Sequence, residues 1–387
     1  MLYLCGTQDA IPEEELDGRH HLVLKVPHTG GIAITETPQI PYLEMLGVRR
    51  QVIAYIGDPQ WISSPCMNRM IADEESTLQT VFNAGDPFNL TTNAALREQF
   101  IQENPDAIII GGPFGDAEGD RTIIAAATQE RTTVATFDWI GYYAAFFNME
   151  GEANKITAKA KSRFDCASSN SALLSADTAA DERPKVLWAT YFTGYNWSVA
   201  ECPTWSSTFY CEYAHHCAAD IISRPEGLGY EDTTFGSFWY LDDEQLLEIG
   251  KDADYFVYPS STWDTVYAEK KDVLDQIKAV QNKQVFDSQG RGPFAWHEQR
   301  LAEYDVVALD FCEMVGTTGV PHELQWLRNI YTDPVGSLPT CSFDYQIDEP
   351  HVAQGATCKR LVASGAVSVL RWSGAMTLLV LAASSMV

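Results

Sequence analysis

The segment Thr136–Phe164 constrains the fold most, because its pattern predicts one long amphipathic helix in the middle of the chain. Apolar residues recur three or four positions apart, and along the polar face acidic residues precede basic ones, as the helix dipole favours. Asp138 is placed to cap the start of this helix. At about 1.5 Å per residue the helix would be roughly 40 Å long, close to the diameter of a small domain. It could join two lobes rigidly, although a long surface helix of a single domain has the same pattern.

Short apolar strands alternate with helices on both sides of this segment, in a chain of 387 residues that is too long for one compact core. Strands are predicted at 21–26, 31–34, 50–56, 107–110, 133–137, 185–189, 255–258, 284–286 and 306–308. Helices are predicted at 41–46, 90–104, 121–130, 211–222, 242–250, 266–279 and 323–330. Such alternation is typical of parallel sheets covered on both faces.

The predicted fold class is therefore α/β, with two doubly wound α/β lobes joined by a single long rigid helix and a ligand cleft between the lobes. The predicted boundaries are 1–137 for the first lobe, 138–183 for the interlobe helix and linker, 184–345 for the second lobe and 355–387 for a hydrophobic tail. Met1–Gly6 resembles the second half of a strand. We therefore expect that the first strand is incomplete in this sequence.

The charge of the chain excludes one class of partner. The chain has 53 acidic and 26 basic residues and a net charge of −27. A nucleic acid or an anionic membrane surface would be repelled by this charge, so neither is an expected partner.

The cysteines favour an oxidising compartment. There are nine, and the spacing of Cys202, Cys211 and Cys217 matches no zinc-binding pattern. Disulfides explain such usage better than a metal does, and the odd total leaves at least one thiol unpaired within the chain. Glycosylation sequons at Asn89 and Asn196 agree with secretion, although chance would give about as many.

The two ends of the chain give different indications. Residues 361–387 are almost continuously apolar apart from Arg371, which indicates either a removed lipid-anchor signal, with 355–357 as the attachment site, or a retained membrane anchor. The N-terminus shows no basic segment followed by an apolar core. We therefore expect that a secretory signal preceded Met1.

Ligands of open α/β sheets bind beyond the carboxyl ends of the strands, and the residues at these positions are strongly aromatic here. The candidate ligand-binding residues of the first lobe are Thr37, Tyr55, Trp61, Phe114 and Trp139. Those of the second lobe are Tyr195, Asn196, Trp197, Trp239, Ser260 and Trp263. Aromatic walls with a few hydroxyl and amide groups suit a large, flat, partly apolar ligand. Any single ring among them could instead belong to the core.

Motifs for catalysis are absent from the sequence. There is no G-x-S-x-G elbow, phosphate-binding loop or H-E-x-x-H pair, and the eight histidines lie mostly away from the predicted strand ends. The sequence therefore predicts no catalytic residues, no metal ligands and no catalytic cofactor, which is the pattern of a binding protein rather than an enzyme.

Several segments resemble the class III periplasmic substrate-binding proteins over roughly residues 30–335. In the first half these are Thr35–Val48 (TETPQIPYLEMLGV), Asn104–Ile110 (NPDAIII) and Phe137–Ile156 (FDWIGYYAAFFNMEGEANKI). In the second half they are Lys185–Val199 (KVLWATYFTGYNWSV), Leu246–Asp264 (LLEIGKDADYFVYPSSTWD) and Pro321–Pro334. The resemblance implies a rigid two-lobe clamp with its ligand in the interlobe cleft.

Within that family, the chain is most similar to the algal cobalamin acquisition proteins, on the strength of Glu201–Trp205 (ECPTW), the aromatic helix and the hydrophobic tail. The resemblance implies capture of cobalamin (vitamin B12) or a related corrinoid at the outer face of the plasma membrane. It also implies attachment through the tail and delivery to an unidentified transporter or endocytic receptor. Unlike that family, the sequence shows no secretory signal.

Two alternatives remain open. The first is a binder of a ferric siderophore, haem or another metal chelate, which basic side chains in the cleft would favour. The second is a two-lobe metallocluster oxidoreductase, which would need cysteines at strand ends in the cleft, where only Cys202 is near a predicted loop.

Overall fold

The computed structural model describes residues 2–4, 24–73, 76, 78–86, 90–113, 121–232, 238–353 and 357–362. Most of the predicted hydrophobic tail and the N-terminal residues 5–23 lie outside the described residues. Among the described residues, no helix combines the length and the apolar character needed to cross a membrane.

The described part of the first lobe is built on a five-stranded parallel sheet, preceded by a parallel pair of short strands, β1 (Leu2–Leu4) and β2 (Leu24–Val26). The strands of the sheet are β3 (Ile32–Ile34), β4 (Val52–Tyr55), β5 (Gln79–Thr80), β6 (Ile108–Gly111) and β7 (Thr122–Ile124). Their order is β5-β4-β3-β6-β7. The direction of winding therefore reverses between β3 and β6, and ligands bind beyond the carboxyl ends of strands at such a switch point.

The described part of the second lobe has a mixed six-stranded sheet and a separate antiparallel hairpin. Its strands are β8 (Lys185–Phe192), β9 (Asn196–Val199), β10 (Asp220–Ile221), β11 (Tyr230–Asp232), β12 (Phe238–Tyr240), β13 (Tyr255–Tyr258), β14 (Val285–Asp287) and β15 (Arg328–Asn329). The order is β10-β8-β13-β14-β15, and β9 folds back antiparallel on the far end of β8, while β11 pairs with β12. The switch point of this sheet lies between β8 and β13.

Helices precede, separate and follow these strands. They are α1 (Ile40–Met45), α2 (Pro65–Ala72), α3 (Leu90–Glu103), α4 (Thr133–Asp138), α5 (Ile140–Ala145), α6 (Glu150–Leu174), α7 (Phe209–His216), α8 (Asp243–Gly250), α9 (Trp263–Leu274), α10 (Lys278–Gln281), α11 (Ala295–Glu298), α12 (Tyr304–Met314) and α13 (Tyr345–Asp348). The capping box predicted at the start of α8 is present, since Asp242 and Gln245 bond each other's backbone. The predicted α/β fold is confirmed.

The predicted single helix Thr136–Phe164 is wrong in its continuity, because the chain breaks it into α4, α5 and α6. The hydroxyl of Thr132 accepts a hydrogen bond from the Ala135 amide and starts α4 early, so residues 133–137 are helical rather than a strand. Asn148 then takes a left-handed conformation (φ 56°) between α5 and α6. Helix α6, with 25 residues, leads from the first sheet to the second in chain order. A rigid interlobe rod and the exact domain boundaries stay predictions.

Four further secondary-structure predictions are wrong. The predicted helix 211–222 ends at His216, and residues 220–221 pair in parallel with β8 as β10. Residues 121–130 were predicted helical, yet 122–124 pair in parallel with β6 as β7. Residues 306–308 belong to α12, whose residues are all buried except Glu313, so an apolar run without periodicity does not distinguish helix from strand. Residues 323–330 are not helical, because the buried carboxylate of Asp310 accepts hydrogen bonds from the backbone amides of residues 325–327, which bend directly before β15.

One hydrophobic core joins the two lobes. It includes Ile32 and Val52 of the first sheet, Trp188 and Val257 of the second sheet, and helices α11 and α12. A separate core covers the opposite face of the second sheet, because side chains alternate along β8 and β13. The face of the second sheet that carries Trp188 is therefore the one turned toward the first lobe.

Four disulfides occur among the described residues, which confirms the prediction from cysteine usage. They are Cys66–Cys341, Cys166–Cys358, Cys202–Cys211 and Cys217–Cys312. The first two tie the C-terminal segment back to the first half of the chain. Cys5 and the sequon residue Asn89 lie outside the described residues, and glycosylation stays a prediction.

Candidate functional site

A cavity of about 130 Å³ lies where segments from the two halves of the chain meet. One wall follows β7 and includes Glu130 and Thr133 of the first half. The opposite wall comes from α7 and from the segment that follows β14, and includes Phe209, Tyr213, His297 and Arg300. The cavity is therefore formed only when the two lobes pack together.

Arg300 is the most unusual residue of this cavity. Its guanidinium carbon lies 4.4 Å from the ring centre of Phe209 and 5.1 Å from that of Trp296. Its Nε is buried without a hydrogen-bond acceptor, and no carboxylate of the described residues lies within ion-pair distance. Burial lowers the pKa of Arg300, partly offset by Tyr213 and Tyr42. A guanidinium nevertheless stays charged, so the cavity contains a positive charge that has no ion-pair partner among the described residues.

The neighbouring polar groups are neutral or already engaged. His297 lies one turn before Arg300, and burial together with the charge of Arg300 lowers its pKa, so its imidazole is neutral at neutral pH. The Glu130 carboxylate accepts a hydrogen bond from Trp139 Nε1 at 3.0 Å. The Tyr42 hydroxyl donates to the carbonyl of Thr136 at 2.6 Å.

Two buried carboxylates of the second half hold the lobes together near this cavity. Glu212 accepts hydrogen bonds from both the amide and the hydroxyl of Thr133, each at 2.6 Å. Glu298 accepts the amides of Ser63 and Ser64, each at 2.8 Å. Burial raises the pKa of both, and that of Glu298 reaches about 7. These contacts would have to break for the lobes to separate.

The structure places the predicted residues of the first lobe at varied depths. Thr37 begins a 3₁₀ turn directly after β3, at the switch point, while the ring of Tyr55 is buried at the end of β4. Trp61 is 53% exposed and meets Phe294 of the second half edge to face, with ring centres 5.8 Å apart. Trp139 contacts the cavity wall through Glu130, as described above.

Phe114, the fifth candidate of the first lobe, lies outside the described residues. Ser260 lies in the turn after β13, and Tyr195 is exposed beyond β8, so both are near the switch point of the second sheet. Asn196 follows Tyr195 with φ 92° at the start of β9. Trp239 lies under the guanidinium of Arg224, at 4.1 Å, on the nearby hairpin.

Trp197 and Trp263 are core residues, so their prediction as ligand contacts is wrong. Trp197 is fully buried, and Trp263 is 4% exposed. Both pack in the core on the face of the second sheet opposite Trp188, because β9 folds back over that face and α9 begins there. The indole of Trp197 donates to Asp243 at 2.8 Å, so even its polar atom is engaged.

The sequence analysis missed the residues that line the cavity from the second half. Phe209 precedes the predicted helix 211–222, and His297 and Arg300 belong to the aromatic and charged run that follows β14. Inspection of the segment after the predicted strand 284–286 would have included PFAWHEQR at 293–300. Its position against the first lobe depends on the packing of α11, which the sequence does not reveal.

Metal binding by side chains alone has no support in the part of the chain that the structure describes. No group of three or more histidine, cysteine or carboxylate side chains converges there to hold a metal ion.

No family model matches the sequence. A curated relative, an uncharacterized lipoprotein of Methanocaldococcus jannaschii, is 25% identical over 304 residues, which are 73% of this chain and 65% of the relative. The chain thus spans slightly less than two thirds of that protein's length.

A solved structure supports the fold. A periplasmic haem-binding protein from Pseudomonas aeruginosa aligns with a TM-score of 0.50 at 11% identity, over 77% of this chain and 96% of that protein. This similarity shows that the chain has the two-lobe fold of the periplasmic binding proteins, as the resemblance had implied. At this identity it shows the fold alone.

Proposed function

We propose that this protein is a substrate-binding protein that captures a metal chelate between its two lobes and presents it for uptake. Haem and ferric siderophores are the ligands of first choice. The observation that carries the proposal is the cavity between the lobes, with an aromatic wall and one unpaired cation, on a fold of the periplasmic-binding-protein type.

The volume of the cavity limits how the ligand enters. About 130 Å³ is below the roughly 300–1,000 Å³ of sites that enclose a whole drug-sized molecule. The cavity can accept one end of a chelate, and a larger ligand requires the lobes to separate. Separation would break the hydrogen bonds of Glu212 and Glu298 to the first half of the chain.

Two features favour a chelate over other ligands. The Pseudomonas aeruginosa protein of the same fold is described as haem-binding. The ring of Phe209 in the cavity wall and the exposed ring of Trp61 at the lobe seam suit a flat ligand. Cobalamin is the second candidate, and it rests on the sequence resemblance alone.

We propose that the protein is not an enzyme. The metallocluster alternative required cysteines in the cleft, but the eight cysteines of the described residues are all disulfide-bonded, including Cys202. The lipoprotein relative and these disulfides support an extracytoplasmic, surface-associated location. A transporter or receptor that takes over the ligand is part of the proposal.

The proposal is tested by titrating the full chain with haemin, a ferric hydroxamate and cyanocobalamin, using calorimetry and the absorbance of the ligands. We expect saturable one-to-one binding of at least one of them. Trp61→Ala should weaken binding, because Trp61 is exposed at the seam between the lobes beside Phe294. Trp205→Ala removes an equally exposed indole that stacks on His215 within the second lobe, and it should not weaken binding. Absence of binding by all three ligands would contradict the proposed function.

A further inference from the structure

We propose that Arg300 is a carboxylate-binding subsite, so that the ligand of this protein carries at least one free carboxylate. The inference rests on the proposed function, because it assigns the ligand class of the same interlobe site. It distinguishes chelates with carboxylates, such as haem and ferric citrate, from neutral hydroxamate chelates and from cobalamin, whose side chains are amides.

Two aromatic neighbours restrict the orientation of the guanidinium. The ring centres of Phe209 and Trp296 lie 4.4 and 5.1 Å from its central carbon and 6.3 Å from each other, so the two rings cover adjacent sides of the group. The edges of the guanidinium carry its N–H donors. A planar acceptor with two oxygens matches this edge with two parallel hydrogen bonds, which is the geometry of a carboxylate.

The lack of an ion pair distinguishes Arg300 from three other arginines of the described residues that are largely removed from solvent. Arg49 pairs with Glu44 at 2.8 Å, Arg291 with Glu303 at 3.0 Å, and Arg328 with Asp287 at 2.7 Å. Those three side chains are at most 14% exposed, and each has its carboxylate built into the fold.

Arg300 has no such partner among the described residues, although the chain has twice as many acidic as basic residues. A guanidinium whose Nε is buried without a hydrogen-bond acceptor is costly, and an incoming anion would remove part of that cost. The energetic cost of leaving Arg300 unpaired would then be retained because the free guanidinium serves ligand binding.

The other lining groups suit a single carboxylate. The phenol of Tyr213 and the imidazole of His297 line the same cavity and are uncharged at neutral pH. Glu130 contributes a negative charge to the wall, which disfavours an anion of higher charge at this point. The cavity volume of about 130 Å³ admits a carboxylate and its first carbons but not a whole chelate.

The deciding experiment compares haemin with its dimethyl ester on the unaltered full chain in one detergent-containing buffer. Both ligands have the same ring and iron, and only haemin has free carboxylates. Because hydrogen bonds to charged groups are each worth about 1.5–3 kcal/mol, we expect the ester to bind about 10- to 100-fold more weakly. Ferric citrate should bind, and a neutral ferric hydroxamate and cyanocobalamin should bind much more weakly.

Variants provide the second readout. Arg300→Gln should reduce the preference for haemin over its ester to near unity, whereas Arg300→Lys should retain part of it because the charge remains. Arg50→Gln is the control, since Arg50 is an exposed arginine paired with Asp348. The preference of Arg50→Gln for haemin over its ester should equal that of the unaltered protein.

Equal binding of haemin and its ester by the unaltered protein would overturn the inference, even if Arg300→Gln fails to fold. Binding of only cyanocobalamin or the hydroxamate would also overturn it while supporting the proposed function. If none of the probes binds, the proposed function itself is refuted, and the inference is refuted with it.

Discussion

The buried carboxyl of Glu298 should make the stability of the protein depend on pH in a specific direction. Glu298 is 1% exposed and accepts the amides of Ser63 and Ser64 across the lobe seam. Burial, and the nearby carboxylate of Glu44, raise its pKa from 4.5 to about 7. Glu44 itself pairs with Arg49 at 2.8 Å, and Tyr55 faces the site with an uncharged hydroxyl, because burial raises its pKa.

The magnitude follows from the two pKa values. A pKa that is higher in the folded state means that the folded protein retains a proton that the unfolded chain has released. The stabilisation is therefore complete below about pH 4.5 and is lost as the pH rises through about 7. At about 1.36 kcal/mol for each pKa unit, this loss is about 3 kcal/mol.

Urea unfolding of the wild type and of Glu298→Gln, measured from pH 4.5 to 8, isolates this contribution. Glutamine does not titrate. The free energy of unfolding of the wild type, minus that of Glu298→Gln, should therefore fall by about 3 kcal/mol as the pH rises from 4.5 to 8. Glu152→Gln, in an exposed pair with Lys155, is the control and should give a constant difference. A constant difference for Glu298→Gln as well would refute the assignment of a raised pKa.

Three further predictions follow from the burial and connectivity of the described residues. Trp197→Ala should cost about 3–5 kcal/mol in the free energy of unfolding, because Trp197 is fully buried. Tyr195→Ala, two positions earlier in the chain and 38% exposed, should cost less than about 1 kcal/mol. Similar costs for the two variants would contradict the assignment of Trp197 to the core. Replacing Cys217 and Cys312 together by alanine opens a disulfide with a sequence separation of 95 and should cost about 2–4 kcal/mol, measured by urea unfolding; an unchanged midpoint would show that the bond is not formed. Trp61→Ala should weaken chelate binding while changing the melting temperature little, and a large drop in that temperature would instead indicate a structural role.

The fold was largely predictable because its main signals are local. The strand 255–258 and the helix opened by the capping box at Asp242 were predicted within a residue of their observed bounds. Each depends on side chains within a few positions of one another, which the sequence displays directly.

Errors arose where a distant group decided the local structure. The carboxylate of Asp310 accepts hydrogen bonds from the amides of residues 325–327 and holds them in a bend, although their own composition suggested a helix. The helix 304–314 is buried on all sides, so it lacks the polar face that reveals a helical period. Neither fact can be derived from the neighbouring sequence.

The candidate site also depends on both local sequence signals and distant contacts. Position after a strand pointed to Thr37, Trp61 and Ser260, since the ends of parallel strands share one edge of a sheet. It also pointed to Trp197, which the antiparallel return of β9 carries to the other face.

By itself, the sequence determined that the chain forms α/β lobes, forms disulfides and carries a strongly negative charge. Those properties depend on composition and local period, which are fixed before any long-range contact forms. Only the tertiary structure decided that Arg300 lines the interlobe cavity beside two aromatic rings and that it lacks the paired carboxylate which Arg49, Arg291 and Arg328 have. The electrostatic state of a side chain depends on what packs around it. Trp296 is close in the chain, but Phe209 lies about 90 residues away and Thr133 lies in the opposite lobe.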